Sequence, residues 1–381
     1  MSSVWYWPPN AISEKIEFLT DIRASRTAEI RDSYKDATNY PKYGYRVHHE
    51  IGEAMIDLYR SDPLGEYLVP EWSTATVSKN VIINLGQTII PVEDSSVYEV
   101  GGLVFIGNGK HEWEQATVGS LGVGTITLTT GTVNAYSGSQ FRAVFVAPLI
   151  SCILPSGINF NSQFRVINLT CNFLNSATID IAENIYPEYL SLPLVTDGKI
   201  GVSQLSGSVR QFAELFDSGH GAYDLIAQEE YSKRYGEFSF YDSDYQSRLN
   251  RRKFLHFMRG MDGEMWVRSG QRDLNLLSGF SAASISLSVK PFTSVSRMIG
   301  KHIYLKEGGQ IAAREVTSAT DVSDSEQTLF LSSPPGFDGT ISTMVSLLHK
   351  SRFDQDMFDI SYRFTPFGLK SSLTAKVVEV P

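Results

Sequence analysis

The sequence predicts a mainly β protein with a few short helices, folded as two similar β-sandwich- or barrel-like halves from an internal duplication. Three observations point there. Short alternating or β-branched runs recur about every ten residues, with Gly, Asn, Asp and Ser between them. Amphipathic helical spacing is confined to a few short segments. Several segments also return in the same order about 198 residues further along the chain.

Taken in order, residues 50–60 place Ile51, Met55, Ile56 and Leu58 on one side of a helix. Strands are expected over 81–85, 103–106, 125–128 and 141–146, and the stretches 119–124 and 136–139 between them have turn composition. Helices are expected again over 209–216, through Phe212 and Leu215, and over 249–258. The repeat matches 66–69 with 264–267, 101–106 with 300–305, 115–118 with 314–317, 125–128 with 328–331 and 166–173 with 359–364. On this reading the halves are residues 1–190 and 191–381. A linker is expected near 186–202, where Pro193, Asp197 and Gly198 gather.

At 381 residues, 42% hydrophobic and 20% charged, the chain can bury a sizeable core, and wholesale disorder is excluded. No run approaches the ~18 apolar residues that cross a bilayer, and Met1-Ser2-Ser3-Val4 lacks the basic start of a signal peptide. The expectation is a product made and kept in a cytosol, or assembled there into something larger. The net charge of −9, from 42 acids and 33 bases, is the reverse of what a dedicated nucleic-acid binder needs to neutralise phosphates. Cys152 and Cys171 allow at most one disulfide and are too few for a four-thiolate metal site. Their apolar neighbours predict two buried free thiols.

No catalytic constellation is found. The loops Gly107-Asn108-Gly109-Lys110 and 119–124 lack the strand-to-helix setting of a phosphate cradle and read as hairpin turns. Among seven histidines only His48 and His49 adjoin, and neighbours on a strand face opposite ways, so no metal or cofactor is expected. Ser218-Gly219-His220-Gly221 lacks the elbow that exposes a nucleophile. The acid pairs Asp242/Asp244, Asp321/Asp324 and Asp354/Asp356 have turn-like neighbours and read as solvated loop acids. A glycan-degrading enzyme would draw its two carboxyls from such pairs. Arg248-Leu249-Asn250-Arg251-Arg252-Lys253 is the one basic patch, read as a solvated face or a subunit salt-bridge surface. Tyr, Phe and Trp number 18, 21 and 5, and such aromatics suit protein interfaces, sugar-stacking surfaces and β cores alike.

Ile16-Glu17-Phe18-Leu19-Thr20-Asp21-Ile22, then Ser25, Glu29-Ile30-Arg31 and Pro41-Lys42, resembles the N-terminal signature of tailed-phage tail proteins. Leu68-Val69-Pro70-Glu71-Trp72 is similar to their hydrophobic-x-Pro-x-Trp element. In the second half, Phe254-Leu255 to Gly263, Trp266-Val267-Arg268-Ser269 and Asp273-Leu274 resemble a later segment of the same proteins. The resemblance implies a siphophage-like distal tail or tail-tip protein. That would be a non-enzymatic virion component, made in the host cytoplasm, forming a ring that joins the tail tube to the hub and fibres. It implies several identical subunits around a channel, in a plain hexamer or in a trimer whose paired halves imitate sixfold symmetry. DNA would at most pass through the lumen, where an acidic surface would not retain it. Trp72 and Trp266, from the motifs, and Arg251 and Arg252, from the basic run, are the candidate subunit-interface positions. The alternative is a carbohydrate-binding receptor-recognition protein of a tail or baseplate, with an aromatic platform around Trp72, Trp113 or Trp266.

Overall fold

The protein, as a computed structural model, is described over residues 3–24, 29–78, 81–109, 112–138, 143–175, 182–197, 199–200, 207–210, 213–217, 223–227, 233–365 and 368–380. It is mainly β, with three short helices among these residues. Strict alternation sets the first large element. Ile12, Ile16 and Phe18 are buried on one face of strand Ala11–Ala24, and Glu14 shares that face. This strand forms a long antiparallel hairpin with Glu29–His48, from Ala11 opposite Gly44 to Ala24 opposite Glu29, with register shifts on either side of Leu19. Ser25 lies outside the described residues.

The second hairpin strand runs into α1 (His49–Ser61), whose Gly52, Met55 and Ile56 are buried. Strand Tyr67–Pro70 follows, parallel to Ser3–Val4. The chain then builds a meander in which Leu103–Gly109, Glu112–Gly122, Thr125–Leu128 and Ile89–Pro91 lie side by side. Val144–Ile153 pairs along its first strand, and its core includes Ile90, Val104, Ile126 and Val146. The hairpin of Ile158–Gln163 and Val166–Asn172 returns the chain to Glu29–His48.

This order of elements recurs in the second half. Strand Lys233–Asp242 runs into α2 (Tyr245–Met258), and Glu264–Arg268 follows, parallel to Leu192–Val195. A second meander joins His302–Glu307, Gln310–Ser323, Glu326–Leu331 and Ser286–Val289, with Met344–Phe353 along its first strand. It too has its own core, around Val289, Ile303, Leu329 and Val345. The hairpin of Met357–Thr365 and Gly368–Glu379 then returns to Lys233–Asp242.

The correspondence reaches single hydrogen bonds. Gly101 and Gly300, at φ +85° and +78°, each stand two residues or so before the first meander strand, a left-handed corner that a residue without Cβ takes freely. The Gly101 N–H donates to Val118 O at 2.8 Å, and the Val118 N–H to Gly102 O at 2.9 Å. The Gly300 N–H donates to Val316 O and the Val316 N–H to Lys301 O, both at 2.8 Å.

A third core spans both halves, with Ile12, Ile16 and Tyr43 packed in one cluster with Phe254, Phe353 and Phe358. Above it the strand Ala11–Ala24 pairs antiparallel with Met357–Thr365, from Ile12 opposite Tyr362 to Glu17 opposite Met357. The halves therefore share one sheet.

One expectation is corrected: the described residues of 209–216 are strand, not helix. Gly207–Arg210 pairs with Lys233–Asp242, and Ala213–Asp217 with Tyr223–Ala227, while Phe212 lies outside the described residues. So short a segment does not hold a helix without tertiary packing, and here neighbouring strands supply its backbone hydrogen bonds. Within the segment expected to join the halves, Leu192–Val195 belongs to the sheet and Asp197 to an ion pair. Lys110, His111 and residues 141–142 and 218–221 lie outside the described residues. Cys152 and Cys171 are buried free thiols. Burial pushes Cys171 up to about 12 and Cys152 well above its ordinary value, which leaves both inert as nucleophiles.

At Gly52 the helix α1 approaches the sheet closely: a Cβ would stand 2.9 Å from both Cβ and Cδ1 of Ile167. Gly52→Leu is expected to lower the stability to urea by about 1–3 kcal/mol through overpacking. Glu53→Leu, on the exposed side of the same helix, should leave the unfolding midpoint nearly unchanged.

Candidate subunit-interface site

The four candidate positions lead to the interior. Trp72 is fully buried, with its ring edge-on to Phe105 at 5.5 Å and to Phe145 at 5.6 Å. Trp266 is buried beside His302, at 4.5 Å between ring centroids, and Tyr189, at 5.4 Å. Arg251 and Arg252 are only 3% and 2% exposed. The basic run is thus neither a solvated face nor an exposed salt-bridge surface. Leu249, Phe254, Leu255 and Met258 are buried on the same helix, so α2 has little polar side to turn outward.

Asp244 starts that helix. Its carboxylate accepts the Ser247 N–H at 2.9 Å, and the backbone and hydroxyl hydrogen bonds from Ser247 hold the carboxyl below its ordinary value. Arg259, at φ +53°, and Gly260 end it in the left-handed region. Between these ends Arg252 donates to Glu14 Oε1 at 2.8 Å and to Glu71 Oε1 at 2.7 Å. The remaining carboxylate oxygens are also satisfied. Tyr362 donates to Glu14 Oε2 at 2.9 Å, and the Thr74 hydroxyl to Glu71 Oε2 at 3.0 Å. Burial opposes the charge of Arg252, but Glu14 and Glu71 together outweigh it and hold the guanidinium well above its ordinary value. Burial likewise raises Glu14, against the pull of Arg252.

Arg251 points to the chain segment that joins the halves. It donates to Asp197 Oδ2 at 2.6 Å, to Asp242 Oδ1 at 3.4 Å and to the Tyr186 hydroxyl, and its guanidinium lies 3.8 Å from the Phe240 ring centroid. Arg248 donates to the Leu369 carbonyl. The same seam is held at the helix end, where Phe18 packs edge-on to His256. Asp356 accepts the Thr20 N–H at 2.9 Å, its hydroxyl at 2.6 Å, and the Met261 N–H at 3.1 Å. Of the acids read as solvated, Asp242 is buried, Asp356 is half-buried with fixed partners, and Asp244 is exposed at the helix cap. Asp321 accepts from Gln327 at 3.0 Å.

The aromatic positions of a sugar platform are occupied as well. Trp113 stacks on Tyr6 at 4.7 Å and on Phe105 at 5.9 Å, both near 15°. His49 faces Glu53 at 3.6 Å on α1. Among the described residues no group of three or more His, Cys, Asp or Glu is placed to hold a metal ion, and no helix is long and apolar enough to cross a membrane. No protein-family model matches the chain, and no curated protein matches it.

The arrangement joins the two halves. The glutamates were missed because Glu14 and Glu71 stand 238 and 181 residues from Arg252. The available signal was that Leu249, Phe254, Leu255 and Met258 leave α2 without a polar face. Arg252→Met is expected to cost about 3–5 kcal/mol, because it strands two buried carboxylates. Both bonds come from one nitrogen, Nη2, so Arg252→Lys should recover part of this by keeping a positive charge near the two acids, though on a shorter side chain. Denaturant unfolding checks both.

His256 gives the seam a pH dependence. Burial, then the Arg252 charge, lower it to about 4. The fold thus prefers the neutral ring. This contribution is complete above the unfolded value near 6.5 and is lost as pH falls toward 4. Glu14 and Asp242, raised by burial, act in the opposite sense. The comparison with His256→Gln isolates the histidine: between pH 7 and 5 wild type should lose about 2 kcal/mol more than the variant.

Proposed function

We propose that this chain is a non-enzymatic structural protein of a phage virion. It forms a ring at the distal tail or tail tip that joins the tail tube to the hub and fibres of the host-recognition apparatus. The observation that carries this reading is the repeated order of elements, two equivalent halves joined edge to edge through one sheet. A subunit that already joins two like units head to tail has the geometry of a piece of a ring. The N-terminal segment that resembles tail proteins, Ile16 to Ile22 and Glu29 to Arg31, lies in the hairpin that makes this joint.

The repeated order also supports an origin by duplication. On that reading a trimer would imitate sixfold symmetry with its paired halves, and a plain hexamer is the other closed form. The burial of Trp72, Arg251, Arg252 and Trp266 moves the candidate assembly surface away from those positions. Substitutions there would act on the fold first. Carbohydrate recognition, the alternative, finds little support at Trp72, Trp113 and Trp266, whose rings are covered by other residues.

Light scattering on the purified chain, with negative-stain images of the same sample, tests the reading. Closed rings of three or six copies are the expected outcome. A monomer at every concentration would count against self-assembly of the isolated chain.

A further inference from the structure

The joint between the halves has only one partner of each kind within a chain. The strand Ala11–Ala24, next to Glu29–His48 in the first half, receives Met357–Thr365, the returning-hairpin strand of the second. In the first half the strand in the corresponding place is Ile158–Gln163, the outer member of its own returning hairpin. Among the described residues it pairs with Val166–Asn172 alone. In the second half the place of Ala11–Ala24 is taken by Lys199–Ile200 and Gly207–Arg210, which pair with Lys233–Asp242 and with no other described strand. Among the described residues, each half thus leaves unfilled the edge that the other half fills at the joint.

We propose that Ile158–Gln163 is a self-association edge that takes the Lys199–Ile200 edge of a second copy of this chain, so that the central sheet runs on from copy to copy. This deepens the ring reading and rests on it. The edge has the character of a strand that expects a neighbour. Its six residues include no charged side chain and no proline, the usual devices that keep an edge from pairing. Phe160 lies on the core-facing side, opposite buried Leu169, and yet is 58% exposed. Tyr362, which corresponds to it at the internal joint, is 6% exposed because Ala11–Ala24 covers it.

The internal joint also supplies the register. Tyr43 pairs with Cys171 and Phe240 with Leu373, equivalent buried pairs in the two halves. Leu373 then pairs with Ile360 and Cys171 with Ile158, so Ile158 corresponds to Ile360. Glu14 faces Ile360, and counting from Pro41 and Phe238 in the same way makes Ile200 the counterpart of Glu14. Ile200 of one copy therefore stands opposite Ile158 of the next. The contact is head to tail, the heterologous kind that makes a ring where its rotation closes and an open filament where it does not.

The test uses the full chain. Ile158→Cys with Ile200→Cys, treated with a short bismaleimide, should give a ladder of covalent multimers that either single variant lacks, the native thiols being buried. Phe160→Glu should raise the concentration needed for assembly roughly 10- to 100-fold, the loss expected for one buried Phe, with an unchanged melting temperature at concentrations where both proteins are monomeric. Rings in wild type that persist in Phe160→Glu, with no ladder from the double variant, would overturn this edge and leave the ring reading standing. A wild-type chain that stays monomeric at every concentration and gives no ladder would overturn this edge and count against self-assembly of the isolated chain.

Discussion

The Arg252 guanidinium lies between Glu14 and Glu71, at 2.8 and 2.7 Å, almost out of reach of solvent. None of these groups is tolerable there alone, because an unpaired buried charge costs several kcal/mol. The three come from the N-terminal hairpin, the end of the Tyr67–Pro70 segment and the second-half helix. All three elements must therefore be placed together. The constraint makes the shared core cooperative and sets which face of the hairpin turns inward, since Glu14 lies on the same side as Ile12 and Ile16. Tyr362 and Thr74 complete the carboxylates, so the pairing leaves neither acid half satisfied.

The seam also explains why equivalent helices look so different. α1 and α2 hold the same place in the order of elements, each following a long strand and preceding a short parallel-paired one. α1 buries Gly52, Met55 and Ile56 and leaves its other side open, whereas α2 buries residues around most of its circumference. The difference follows from position. α2 has the first half packed over it, and α1 has no second half of its own chain in that place. One chain with two such units holds one joint, so among the described residues Ile158–Gln163 is paired on one side only.

Much of the fold was legible. Alternation located the meander strands near 103–106 and 125–128, and helical spacing located α1 and the core of α2. The ordered recurrence of segments matched Gly101 with Gly300 and 125–128 with 328–331, as the meanders do, but it set 166–173 against 359–364, whereas the strand pairings give Val166–Asn172 the place of Gly368–Glu379. The site was less legible. Arginines at 248, 251 and 252 look like a solvated face when charge is read along the chain, because their carboxylates are supplied by residues remote in sequence. Trp72 and Trp266 stand out as large aromatics in motifs, but whether such a ring faces a partner or the core depends on neighbours such as Phe105 and Tyr304 that only folding brings close.

Local periodicity and turn chemistry depend on residues a few positions apart. For that reason the sequence by itself determined the β class, the two main helices, the free buried thiols and the order of segments in each half. Charge burial, edge pairing and the closure of the halves depend on contacts between residues more than a hundred positions apart. Only the tertiary structure could decide that Arg252 is an internal tie, that Ala11–Ala24 receives Met357–Thr365, and that Ile158–Gln163 is left with one side unpaired.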